Sequence, residues 1–98
     1  MKAIKVQQMS SPRTGRPIAN QFRIYTNKGV YFQSYNSIIA FVPHKGKTKL
    51  DSYYWDYSRT TSKYRNEFLR ETTKETRQKI DSKEYILTNL NWNNKLVS

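Results

Sequence analysis

Cysteine is absent from this 98-residue chain, so neither a disulfide framework nor a thiolate zinc site is available, and the fold has to hold by packing alone. A reducing compartment suits such a chain. Glycine and proline are scarce, three of each, which argues against a low-complexity, disordered chain despite its polarity. Aliphatic side chains are also few: the apolar fraction is 36% and mean hydropathy is -0.93. Aromatics at 14% offset this, because each buries a large area, and a thin, aromatic-rich core is expected. No apolar stretch approaches the roughly 20 residues of a membrane span, and the start Met1-Lys2-Ala3-Ile4-Lys5-Val6 lacks the apolar segment of a secretion signal. The expectation is a soluble cytoplasmic protein with no membrane partner. Residues 1–98 are expected to form a single domain.

Catalytic equipment is equally sparse. The only histidine, His44, lies between Pro43 and Lys45, where an exposed turn residue is expected and no base or metal partner is evident. Asp51 and Asp56 are expected to form surface ion pairs with nearby lysines in preference to holding Mg²⁺. The glycines at 15, 29 and 46 each sit singly in a separate turn, so no phosphate-cradling loop is present. These absences predict a non-enzyme with no cofactor and no metal.

Acidic residues are missing from one half of the chain altogether. Residues 1–50 carry nine basic side chains and no acid, whereas residues 51–98 carry nine basic against seven acidic. The whole chain is +11, more than the net charge of about 2 to 8 that solubility needs in a small domain. An acid-free half points to a polyanion, attracted by counterion release.

Along the chain, 2–9 alternates loosely and predicts a first strand with Ile4 and Val6 on a buried face. Two prolines and a glycine then predict an exposed, mobile, basic loop over 10–17. Strands over 21–26 and 30–35 flank Asn27-Lys28-Gly29 and read as a β-hairpin. Alternation is expected to gather Phe22, Ile24, Val30 and Phe32 on one face, leaving Arg23, Tyr25, Tyr31, Gln33 and Tyr35 on the other. An apolar central strand over 37–42 ends at Pro43, and the basic turn His44-Lys45-Gly46-Lys47 leads into a strand over 48–55. Thr60, Thr61 and Ser62 are N-cap candidates for a helix over 62–70. Thr72 and Glu75 have capping-box spacing for a second helical segment. Residues 84–90 are expected to return as a last strand, with 91–98 a frayed tail. The fold class is therefore α+β: an N-terminal antiparallel β-meander of about five strands, one or two C-terminal helices and a possible final strand.

Three features bear on binding. Pro12-Arg13-Thr14-Gly15-Arg16-Pro17 resembles the AT-hook, whose core is Pro-Arg-Gly-Arg-Pro, with Thr14 inserted. The resemblance implies two arginines on an extended arm suited to a minor groove. Arg59 among Ser58, Thr60, Thr61 and Ser62 suits either phosphate binding at a helix N-terminus or plain capping. Arg23, Tyr25, Tyr31 and Tyr35 suit either base stacking with phosphate tracking or a packing surface for the helices.

Residues 24–91 resemble small uncharacterised proteins of phages, plasmids and other mobile elements of Gram-positive bacteria. The resemblance rests on Tyr31-Phe32-Gln33-Ser34-Tyr35-Asn36-Ser37-Ile38-Ile39-Ala40, on Leu50-Asp51, on Tyr54-Trp55-Asp56-Tyr57-Ser58-Arg59 through Phe68-Leu69, and on Lys79-Ile80-Asp81-Ser82-Lys83-Glu84-Tyr85. In that pattern the last connection often reads Ser-Gly-Glu-Tyr, and here Lys83 stands in place of the glycine. The resemblance implies a bacterial host and a mobile genome, not a mechanism. The expected function is nucleic-acid binding, DNA favoured over RNA, through Arg13, Arg16, Arg23, Tyr25, Lys28, Tyr31, Lys45, Lys47 and Lys49, with Arg59 and Lys63 secondary. The alternative is an inhibitor that binds an acidic surface on a host protein, such as a defence nuclease, without catalysis. Oligomeric state is left open.

Overall fold

A computed structural model describes residues 3–91. They form a six-stranded sheet in the order β1-β2-β3-β4-β5-β6, with β1 Ala3–Ser10, β2 Pro17–Thr26, β3 Gly29–Ser34, β4 Ser37–Pro43, β5 Lys49–Asp51 and β6 Ile86–Thr88. Helices α1 Arg59–Leu69 and α2 Thr73–Asp81 lie between β5 and β6. The first five strands are an antiparallel meander, and β6 returns parallel to β5. The expected α+β class, the meander and the final strand are all present. No helix among the described residues is long and apolar enough to cross a membrane.

Hairpin register decides which side chains share a face. Thr26 Oγ1 accepts from Lys28 N and Gly29 N and donates to the Gly29 carbonyl, closing a loop of only two residues, Asn27 and Lys28. Tyr25 therefore pairs with Val30, Ile24 with Tyr31 and Arg23 with Phe32. This corrects the expected faces: a three-residue loop would have paired Ile24 with Phe32, and a slip of one position sends every side chain to the other side. Gly29 is required because a Cβ there would stand 2.6 Å from Pro43 Cα.

One face carries the helices. Phe32 stacks on Phe68 of α1 with ring centroids 5.5 Å apart, and Ser34 Oγ meets Thr61 Oγ1 at 3.0 Å. Met9, Phe32, Ile39, Ala40, Leu50 and Tyr85 make the buried cluster, with Tyr54, Trp55, Tyr64, Phe68 and Leu69 packed against it. The aromatic-rich core is present. The opposite face carries a row of paired residues running across all six strands: Val6, Ile24, Tyr31, Phe41, Lys49 and Ile86. Ile4 and Val6 are 72% and 59% exposed, which corrects the buried face expected for β1. As the edge strand, β1 contributes Met9, not the isoleucine and valine, to the helix side.

The helices begin where side chains satisfy their first N–H groups. Ser58 Oγ accepts from Thr61 N, so α1 starts three residues before the expected position. Thr72 and Glu75 form the reciprocal capping box, as their spacing predicts. Two charged knots bind this half together. Arg65 is fully buried; its Nη atoms donate to the Trp55 carbonyl, to Asn66 Oδ1 at 2.9 Å and to Thr73 Oγ1 at 2.8 Å. Burial lowers its pKa, and Asp56 partly restores it. Glu71 accepts from Thr76 Oγ1 at 2.5 Å, Lys79 Nζ at 2.8 Å and Tyr85 OH at 2.8 Å. Burial and the bond to Glu71 push the Tyr85 phenol up to about 12. Burial alone would raise the Glu71 carboxyl, but its three donors carry it below the ordinary carboxylate value.

Because Glu71 titrates lower folded than unfolded, its contribution is full above the usual carboxylate value near ~4.3 and is lost as pH falls through the lowered native value. Urea midpoints measured from neutral to acid pH should fall more steeply for the wild type than for Glu71→Gln, which should be weaker near neutrality by about 1–3 kcal/mol.

Lys83 occupies the left-handed region at φ 68, the conformation that the glycine of the related pattern would take without cost. A lysine there costs about 1 kcal/mol. Lys83→Gly should raise the thermal midpoint by several degrees, read by circular dichroism.

Candidate nucleic-acid interface

The basic candidates divide between the two ends of the sheet. Strand β2 runs from the Arg13 and Arg16 turn to the Lys28 turn over ten residues, and at about 3.3 Å each this sets the turns roughly 30 Å apart.

At one end Lys28, Lys45, Lys47 and Lys49 converge on an open groove of about 550 Å³, whose lining includes His44 and the apolar Phe41, Pro43 and Ile86. Main-chain geometry brings them together. His44 N donates to the Lys28 carbonyl at 2.9 Å, fastening the β4–β5 loop to the β2–β3 turn, and Gly46 at φ 101 lets that loop reverse. Lys49 faces the groove as the cross-strand partner of Phe41. Tyr31 stacks on Phe41 at 4.3 Å and 24°, and burial raises its phenol pKa. None of the seven acidic residues lines the groove. Lys47 Nζ donates to the Lys83 carbonyl at 2.8 Å, so this lysine also braces the end of α2.

The remaining candidates lie elsewhere. Arg23 and Tyr25 are on the helix-bearing face, Arg23 over the Phe68 ring at 5.9 Å and Tyr25 donating to Gln7 Oε1 at 3.1 Å. Tyr31 is on the opposite face, so the expected Arg23, Tyr25, Tyr31 and Tyr35 surface does not exist as one surface. Arg59 and Lys63 are exposed on α1, with Lys63 Nζ 5.3 Å from the Tyr64 ring centroid.

Arg13 and Arg16 are exposed but do not form an extended arm. Ser11 N donates to the Arg16 carbonyl at 2.9 Å and Gly15 N to the Ser11 carbonyl at 2.8 Å, while Ser11 Oγ accepts from Arg13 N and Thr14 N. The segment expected to be a mobile loop is thus a hydrogen-bonded hairpin turn, and Pro17 opens β2 paired with Ser10. Proline is tolerated there because it is the first residue of the strand.

Three hydroxyls of the run that opens α1 are used internally, and Thr60 is exposed. Ser58 caps the helix, Thr61 bonds Ser34, and Ser62 Oγ donates to Asp56 Oδ1 at 2.6 Å.

Asp51 is buried, not a surface ion-pair partner. Oδ2 accepts from Tyr53 N and Tyr54 N at 3.1 and 2.8 Å, and Oδ1 from Leu90 N and Asn91 Nδ2 at 2.7 and 2.9 Å. By capturing the N–H groups of Tyr53 and Tyr54 it turns the chain after β5, which ends at Asp51, where 48–55 was expected to be strand. Asp56 pairs with Arg65 and Arg77 in place of lysine. Asn91, expected as frayed, is buried and bonds both the N–H and the carbonyl of Ile38; residues 92–98 lie outside the described residues. The turn held by Asp51 presents Tyr53, Tyr54 and Tyr57 as a mutual cluster, with centroids 4.7 to 5.7 Å apart. Sequence reading missed it, although a turn-forming Asp followed by three tyrosines in six positions was its signal.

A basic α+β protein with a lysine groove at one end of its sheet and clustered tyrosines at the other is the class these features define. Residues 4–85 match the model of DUF8033, a family of unknown function, and the chain belongs to that family. No curated protein and no solved structure matches the chain.

Asp51→Asn keeps the volume but turns an amide donor toward N–H groups. The unfolding free energy should drop by about 3 kcal/mol, since each buried donor left unpaired costs about 1–3 kcal/mol; a chemical denaturation curve checks it.

Proposed function

We propose that the chain is a non-catalytic nucleic-acid-binding protein whose phosphate-binding surface is the groove of Lys28, Lys45, Lys47 and Lys49. The single observation that carries this reading is the convergence of four lysines, with no acid among the groove's lining residues. Unpaired like charges repel, and a phosphate backbone relieves that repulsion while releasing its own counterions. The apolar lining of Phe41 and Ile86 lowers the local dielectric and strengthens each contact. Ammonium groups on flexible stems act as point charges, so the contacts position the backbone without reading sequence. Such a role fits the mobile-element context that the sequence resemblance implies.

Binding to labelled duplex and single-stranded oligonucleotides, read by anisotropy across a salt series, should weaken steeply with salt. The triple variant Lys28→Ala, Lys45→Ala, Lys49→Ala should bind more weakly and reduce the slope of log K against log salt by about 2 to 3 units. No binding to DNA or RNA at low salt would overturn the proposal. A stoichiometric acidic protein retained after nuclease treatment of a lysate would move the groove's partner from nucleic acid to protein.

A further inference from the structure

At the end of the sheet away from the lysine groove, Tyr35, Tyr53 and Tyr57 are 50%, 67% and 60% exposed. Large apolar rings left in water at one place are the kind of surface that marks a binding site. These rings are held, not loose. Asp51 fixes the main chain at Tyr53 and Tyr54, Trp55 N donates to the Asp51 carbonyl and Tyr57 N to the Tyr54 carbonyl. Tyr54 packs on the buried cluster and supports both exposed neighbours edge-on, with Tyr53 at 4.7 Å and 84° and Tyr57 at 5.3 Å and 62°. Tyr35 at φ 56 occupies the left-handed region that a bulky residue rarely adopts, and its N–H donates to the Asn20 carbonyl at 2.7 Å. Together Tyr35, Tyr54 and Tyr57 border a cleft of about 180 Å³, with Ser34, Ser37 and Thr61 among its lining. That is well under the roughly 300 Å³ at which drug-sized pockets begin, so it takes one planar ring and not a whole cofactor.

Charge selects the occupant. Arg59 lies two residues from Tyr57, and the Arg13 and Arg16 turn lies at the same end of the sheet, on its β1–β2 edge. The nearby acids are spent: Asp51 is buried against N–H donors, and Asp56 pairs with Arg65 and Arg77. Exposed aromatic rings at a sheet end that also carries exposed arginines match a single strand, whose bases stack while guanidinium groups follow the phosphates. A duplex offers these rings only base edges and backbone, since its base faces are already stacked.

We infer that Tyr35, Tyr53 and Tyr57 form a base-stacking platform, so that the nucleic acid this chain binds is single-stranded there. This rests on the nucleic-acid reading above and names its strandedness. Anisotropy with a labelled single-stranded oligonucleotide and with the matching duplex tests it, using Tyr53→Ala, Tyr57→Ala and the control Tyr53→Phe, Tyr57→Phe. Both residues are mostly exposed, and equal melting midpoints confirm that the fold is kept. The alanine pair should lose at least tenfold in single-strand affinity, as expected for about 1–3 kcal/mol per stacked base, with duplex binding within twofold of wild type. The phenylalanine pair, which keeps the rings, should retain wild-type affinity. Unchanged single-strand binding by the alanine pair, alongside loss in the lysine triple variant, overturns the platform and leaves the groove standing. Equal losses in the alanine and phenylalanine pairs also overturn it, because hydroxyls would then be the contact. Absence of all binding by the wild-type chain overturns both.

Discussion

The Asp51 carboxylate is the constraint from which both the sheet's far edge and its exposed tyrosines follow. A charged carboxylate is expensive to bury unless its lone pairs are filled, and Asp51 fills them with three backbone N–H groups and the Asn91 amide. Two of those donors turn the chain after β5, and the other two belong to the segment that follows β6. Asn91 in turn bonds both backbone groups of Ile38 at the start of β4. One side chain thus joins β4, β5 and the end of β6, and its other oxygen sets the angle at which the tyrosine turn leaves the sheet. A β5 of three residues and a β6 of three residues offer few ladder bonds of their own, so these side-chain bonds carry much of the edge's order.

The helical half solves a related problem with the opposite charge. Arg65 is buried among carbonyl, hydroxyl and amide acceptors and faces Asp56, while Trp55 lies against its guanidinium at 5.1 Å. Glu71 gathers Thr76, Lys79 and Tyr85, tying α2 to the segment that enters β6. Four of the seven acids are engaged in holding the structure: Asp51, Asp56, Glu71 and the capping-box Glu75. Charge in the C-terminal half is nearly balanced, and most of its acids are structural partners. The N-terminal meander satisfies its backbone through ladder bonds, and residues 1–50 contain no acid. No acidic side chain lines the groove where four of its lysines converge, which is the electrostatic condition of that site.

Much of the fold was legible because it depends on local signals. The Thr72 and Glu75 capping box, the breaker at Asn27-Lys28-Gly29, the apolar run of β4 and the five-strand meander each rest on neighbours in sequence. What was not legible depends on counting or on distance. The hairpin loop has two residues where three were expected, because Thr26 Oγ1 closes it, and that one position moved Tyr31 and Phe32 to exchanged faces. Ile4 and Val6 alternate like a buried strand, yet nothing in local pattern says that β1 is the edge. Nothing local marks Arg65 as buried, since only tertiary packing brings its acceptors on three segments together. The lysines were individually visible, but their convergence depends on the His44 to Lys28 hydrogen bond between two turns 16 positions apart.

The separation of the two candidate surfaces follows from strand direction. In a meander, successive turns alternate between the ends of the sheet, so the turns after β2 and β4 share one end while those after β1, β3 and β5 share the other. Lys28 and the 44–48 loop belong to the first group; Arg13, Arg16, Tyr35 and the 52–58 turn belong to the second. Lysines and tyrosines are therefore segregated by topology, even though they intermingle in sequence. A flexible polyanion long enough to reach both ends would meet ammonium groups at one and aromatic rings with guanidinium groups at the other, and only an unpaired strand has both the flexibility and the free base faces to use them together.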